Sequence, residues 1–207
     1  MKKIAIKLTL FLLVATLLSG CFSGKVTETR YYLLSYIPEV DNIKRDKPLP
    51  IRLRIREFDI AEAYRRSELI YRQSAHELQF YNYQRWAIKP ERLVTEALLK
   101  HIKAANIFEE VNSDIGESDP DYILDGVVQA IEEYDNNEKW YAHLELDLKL
   151  KMAKNDSVVW RQSYNLRSEV SNQEPVFVVR TLSSILEGIG NKALVEWNTL
   201  LSPKKND

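Results

Sequence analysis

The 207-residue chain carries 29 basic and 30 acidic side chains, a net charge of −1, and a single cysteine. Near-balanced charge argues against nucleic-acid binding, which requires a basic excess, and one cysteine excludes a disulfide framework. Stability must come from packing, and the length behind any leader suits one domain with a sizeable core.

Residues 1–20 read as a secretory leader. Lys2, Lys3 and Lys7 make a positive start, Ile4 to Leu18 is apolar apart from Lys7 and threonine, and Leu18-Ser19-Gly20 brings small residues to a cut before Cys21. The apolar stretch falls short of the roughly 20 residues a spanning helix needs. Losing the three lysines leaves the mature chain mildly acidic. Leu18-Ser19-Gly20-Cys21 resembles the lipobox of bacterial lipoproteins. That resemblance implies cleavage between Gly20 and Cys21, acyl chains such as palmitate on Cys21, and attachment to a membrane through this N-terminal lipid. The residue after the cysteine is Phe22, not Asp. By analogy with enteric sorting, this predicts the outer membrane, with the domain facing the periplasm.

Residues 21–30 form the lipidated N-terminus and a short polar tether, reaching roughly 30 Å at most. Tyr31 to Leu34 is a predicted strand, and Pro38 to Pro50 a charged loop. Leu49 to Arg56 alternates apolar residues with arginine, the period of a strand with one wet face. Leu69 to Gln73 and Glu77 to Tyr83 make a hairpin around Ser74-Ala75-His76. Pro90 opens a helix whose apolar stripe is Leu93, Val94, Ala97, Leu98, Ile102 and Ala105, with Asn106 as its stop. Phe108 to Asn112 is a short strand and Ser113 to Pro120 an acidic loop. Three long strands follow, Tyr122 to Tyr134, Trp140 to Met152 and Val158 to Arg167, expected as an antiparallel meander with one solvated face. A last helix begins near Pro175 and lines up Val178, Leu182, Ile185, Ile189, Ala193 and Trp197. Gly188 and Gly190 inside it each cost roughly 1 kcal/mol against alanine, so a close neighbour is expected there. A half-wet sheet needs a cover for its dry face. The expected fold is therefore α+β: a two-layer sandwich over residues 31–203, with a mainly antiparallel sheet and two amphipathic helices packed on one face.

From Tyr31 onward the order of motifs is distinctive. Tyr31-Tyr32-Leu33-Leu34 is followed by Ile51 to Ile55, then Phe58 to Tyr64. Ser67 to Arg72 (SELIYR) follows, then Leu78 to Tyr83, then Asn82 to Ala87 (NYQRWA) and a helix centred on Leu98. The run at 69–87 is the most specific part. The chain resembles the ABC-type transport auxiliary lipoproteins, the group that includes the lipoprotein partner of the paraquat-inducible system. It departs from them at Ile88-Lys89-Pro90 and in lacking proline over Glu57 to Ala63. The resemblance implies a non-enzymatic component that works with an ABC transporter and a mammalian-cell-entry (MCE) domain protein to move lipid or another hydrophobic substrate across the envelope. A homo-oligomeric ring would suit docking on a hexameric tunnel. The alternative from another class is an assembly or plug lipoprotein for an outer-membrane β-barrel machine.

The residues themselves offer no evident chemistry. His76, His101 and His143 have no metal-ligand spacing, and there is no nucleophile elbow and no phosphate-cradling glycine loop. No cofactor, metal or catalytic group is expected. Arg52, Arg54 and Arg56 share one strand face, with Arg65, Arg66 and Arg72 near in sequence. They are candidates for contact with acidic headgroups or an acidic partner, beside the plainer reading of a solvated strand. Tyr64, Tyr71, Phe80, Tyr81 and Tyr83 suit either an interface or a strand core, and Trp86, immediately before the helix, is expected in the core.

Overall fold

The computed structural model describes residues 27–113, 119–136 and 138–202. Gly20 and Cys21 lie outside them. Nine strands and two helices follow in chain order: β1 (Arg30–Tyr32), β2 (Leu49–Ile55), β3 (Asp59–Ile60), a 3₁₀ turn (Glu62–Tyr64), β4 (Glu68–Ser74), β5 (Glu77–Trp86), α1 (Pro90–Ala104), β6 (Phe108–Asn112), β7 (Tyr122–Asp135), β8 (Trp140–Met152), β9 (Val158–Glu169) and α2 (Pro175–Leu201).

The meander forms as its sequence predicts. β8 pairs antiparallel with β7 from Asp135↔Trp140 to Tyr122↔Met152, and with β9 on its other edge. Leu144, Leu146, Leu148 and Leu150 are fully buried, while Glu145, Asp147, Lys149 and Lys151 stay partly exposed. The other edge of β7 differs from expectation. There β2 pairs with residues 122–124, β3 with 127–128 and β4 with 133–134, all parallel to β7. β2–β6 and β1–β5 are parallel as well, and β4–β5 is the expected hairpin. The sheet is thus mixed, where a mainly antiparallel one was expected. The reason is connectivity. A tight turn joins antiparallel neighbours only, whereas the chain from β2 to β4 advances stepwise along β7 in the same direction as β7 itself.

Two close contacts shape this frame. A Cβ on Gly126 would lie 2.7 Å from the Phe58 ring, so the segment after β2 can fold over β7 only at glycine. A Cβ on Gly190 would meet His101 at 2.9 Å, which explains glycine in mid-helix where α2 crosses α1. Gly188 faces open space, and nothing in the structure explains it. Pro90 and Pro175 stand in the first turns of their helices. Asn106, at φ 51°, follows the end of α1 in the left-handed conformation that asparagine tolerates.

Strand β7 carries a bulge between Val128 and Ala130. Before it, Leu124, Gly126 and Val128 face Leu150, Leu148 and Leu146 on the core side. After it, Ile131 and Glu133 oppose Leu144 and Ala142, and Glu132 opposes His143. One extra residue therefore exchanges the two faces of β7, turning Glu133 toward the core and Glu132 away from it.

Candidate functional site

The predicted cations do not gather in one patch. Arg52 and Arg54 line an open cleft with Pro50, Asp121, Met152 and Lys154. The Arg52 backbone N–H donates to Asp121 Oδ2 at 2.8 Å and its Nε lies 3.6 Å from the same oxygen. Arg54 has a partner of its own. Arg56 lies 3.4 Å from Asp125, which also receives Lys151 at 2.6 Å. Arg65 pairs with Asp59 at 2.8 Å and Glu62 at 3.3 Å. Arg66 stacks on Phe80.

Arg72 leads instead to a group of side chains that sequence reasoning missed. Its Nε donates to Glu132 Oε2 at 2.9 Å and its Nη2 to the Tyr64 hydroxyl at 2.6 Å. Tyr64 in turn donates to Glu132 Oε2 at 2.6 Å. His143 Nδ1 donates to Glu132 Oε1 at 2.8 Å, and its Nε2 lies 3.1 Å from Asn165 Oδ1. The Glu132 carboxylate is wholly enclosed. Burial alone would raise its pKa, but the hydrogen bonds from His143 and Tyr64 and the Arg72 guanidinium outweigh burial and hold it below the usual value. Tyr64 is raised, chiefly by burial and then by the adjoining carboxylate.

An acid, an imidazole and a phenol in contact are the parts of an acid–base site. Here they are closed to substrate. The side chain of Glu132 is 0% exposed and that of His143 6%. The group is a pin: Tyr64 and Arg72 come from the segment on one edge of β7, His143 and Asn165 from the meander on the other. The available signal was the turn between β7 and β8, which sets Glu132 opposite His143 once the strands pair.

Glu133 lies on the opposite face with no cation beside it. Tyr81 donates to its carboxylate at 2.9 Å. Burial, with help from Asp135, pushes its pKa up to about 7. Tyr71 packs against Tyr81 at a tilt, with ring centres 4.7 Å apart, so both tyrosines belong to this layer. Trp86 is buried, as its place just before the helix suggested. His101 is fully buried between the helices, with Nε2 3.1 Å from Asn191 Oδ1 and its pKa lowered by burial. Among the described residues no group of histidines, cysteines and acids could hold a metal, and no helix is long and apolar enough to cross a membrane.

The chain is similar to known structures in fold. Protein XCC0632 from Xanthomonas campestris superimposes with a TM-score of 0.67 at 18% identity, over 83% of this chain and 95% of that one. An uncharacterised protein gives 0.66 at 14% identity, over 82% and 99%. The hypothetical protein CT253 from Chlamydia trachomatis gives 0.50 at 4% identity, over 74% and 98%. No curated protein matches by sequence. The family pattern described as the ABC-type transport auxiliary lipoprotein component matches residues 32–192, from the first strand through most of the last helix, and the chain belongs to that family.

Proposed function

We propose that this chain is the lipid-anchored, non-catalytic member of an ABC- and MCE-type system that moves lipid or another hydrophobic substrate across the bacterial envelope. The observation that carries this reading is a transport-auxiliary lipoprotein pattern over 32–192 directly behind a lipobox-like Leu18-Ser19-Gly20-Cys21. Lipid on Cys21 holds the domain at the outer membrane, facing the periplasm. At about 0.8 kcal/mol per buried methylene, two or three acyl chains make the attachment effectively permanent. Docking on a transport partner then needs only modest intrinsic affinity, because tethering raises the effective concentration.

The closed Glu132 group supports a role in holding shape rather than in catalysis. In this reading, headgroup or partner contact falls to Arg52 and Arg54 on β2 and to Arg56 just beyond its end. Arg72 is drawn inward onto Glu132, while Arg52, Arg56 and Arg65 keep exposed ion pairs within the chain and Arg54 has a partner of its own. Affinity capture of the lipidated protein from solubilised envelope tests the proposal. Recovery of an MCE-domain protein and ABC subunits is expected. Recovery of a β-barrel assembly alone would favour a plug or assembly role and overturn it. Cys21→Ser should release the protein from membranes and abolish transport.

A further inference from the structure

The strongest unassigned surface is the stretch that follows the tether. From Tyr31 to Val40 exposure alternates residue by residue without a break. Leu34 and Val40 are buried and Tyr36 and Pro38 half-buried, while Tyr31, Leu33, Ser35, Ile37 and Glu39 point outward. Only Tyr31 and Tyr32 of these lie in the sheet. Beyond them the chain is an extended strap held by side chains of α2. Ser35 N–H donates to Ser183 Oγ at 3.1 Å and Glu39 N–H to Glu187 Oε1 at 3.0 Å, acceptors one helical turn apart. Tyr36 ties the strap to α1: its ring rests on His101, with centres 5.6 Å apart.

The strap stands as a ridge with a groove on either side. Leu93 and Ala97 of α1 line one groove, and Val176, Val179 and Arg180 of α2 line the other. Three of its five outward residues, Tyr31, Leu33 and Ile37, are large and apolar, with Ser35 and Glu39 between and after them, where a strap facing only water would be polar throughout. Tyr31 is 66% exposed, Leu33 56% and Ile37 88%, and Val176 adds a further 41% beside them. Ile37, Tyr31 and Leu33 are the three most exposed large apolar side chains among the described residues.

We infer that this ridge is the membrane-facing surface of the protein, with Tyr31, Leu33, Ile37 and Val176 resting in the interfacial layer of the bilayer. The inference rests on the lipoprotein reading and deepens it. Cys21 precedes Arg30 by a stretch that reaches roughly 30 Å at most. The ridge begins where that tether ends, so it is the part of the domain held nearest the anchor. A tyrosine beside aliphatic side chains suits the boundary of a bilayer, where the ring is buried and the hydroxyl stays wet. Arg30 and Arg180 adjoin the ridge and suit acidic headgroups. Arg180 lies over the Phe177 ring at 5.0 Å. Contact along the ridge would fix the orientation of the domain and leave exposed residues outside it, such as Arg161 of β9, in water.

The test exploits the lone cysteine. Lipid on Cys21 blocks it, so Leu33→Cys, Ile37→Cys, Val176→Cys and the control Arg161→Cys on β9 each introduce one labelling site. The lipidated full chain, carrying an environment-sensitive fluorophore, is placed in vesicles of phosphatidylethanolamine and phosphatidylglycerol with headgroup-proximal spin-labelled lipid. Blue-shifted emission and quenching several-fold stronger at 33, 37 and 176 than at 161 is the expected result. Anchored protein whose ridge labels are as wet as position 161 overturns the inference and leaves the lipoprotein reading standing. Ridge labels that become dry only when a protein partner is added overturn it too. A chain whose mass shows no acyl group and which washes off membranes removes the lipoprotein reading, and this orientation with it.

Discussion

The two edges of β7 are built in opposite ways. Along one, β8 runs antiparallel for the full length of the strand and β9 extends the same pattern. Along the other, β2, β3 and β4 take turns, each parallel, each covering two or three residues of β7. The meander is stabilised by a row of buried leucines contributed by one strand. The interrupted edge cannot build such a row, because its short strands are separated by the turn at Glu62–Tyr64 and the segment around Phe58. It is fastened instead at points: Phe58 over Gly126, and Tyr64 and Arg72 onto Glu132. A hydrophobic row tolerates the loss of one member in proportion to the volume removed. A charged pin does not, because removing its centre leaves its partners buried without compensation.

Glu132→Ala is the most direct way to break this contrast. It should cost about 3–5 kcal/mol, the usual penalty for breaking a buried pair. Hydrogen exchange should show β3 and β4 losing protection before β8 does. Leu148→Ala, in the middle of the leucine row, should cost about 2–5 kcal/mol through lost burial and a cavity. It should lower protection across the whole meander together, as chemical denaturation combined with exchange would show.

The neighbours Glu132 and Glu133 sharpen the comparison through pH. Glu132 titrates below the ordinary carboxylate range when folded. Its stabilisation is therefore present above the unfolded value of about 4.3 and is lost as acid protonates it. Glu133 titrates near 7 when folded, so the sign reverses. Its contribution is complete below about pH 4.3 and is lost as pH rises through 7, an effect on the order of 3 kcal/mol. Glu133→Gln should flatten the fall in stability between about pH 4.3 and 7 and raise stability at neutral pH by about 2–3 kcal/mol, read from denaturant midpoints across a pH series. The smallest effect is expected at the surface. Arg65→Ala removes two exposed ion pairs and should change stability by no more than about 0.5–1 kcal/mol.

Much of the fold was legible in the residues. The limits of β6 and β8, the β4–β5 hairpin and the opening proline of each helix match the expectations. Each depends on neighbours a few residues away: alternation for β8, a two-residue turn for the hairpin, a missing N–H for Pro90 and Pro175. The glycine at 190 was read as a mark of close approach, and His101 is what approaches. Strand β3 and the parallel pairings were not legible. A two-residue strand has no periodicity, and no local signal tells which distant strand a short segment will join. The site was read least well. Arg72 looked like one of a row of surface cations, yet its partner Glu132 lies 60 residues away in sequence.

By itself the sequence determined the two amphipathic helices and the leucine row, because each is a property of consecutive residues. Tertiary structure alone decided which carboxylate of the Glu132-Glu133 pair would be pinned by charge and which left in the core. The reason is a single extra residue in β7 between Val128 and Ala130. With a side-chain period of two, that one residue reverses every face beyond it, and a bulge is specified by the partner strand as much as by the strand that carries it.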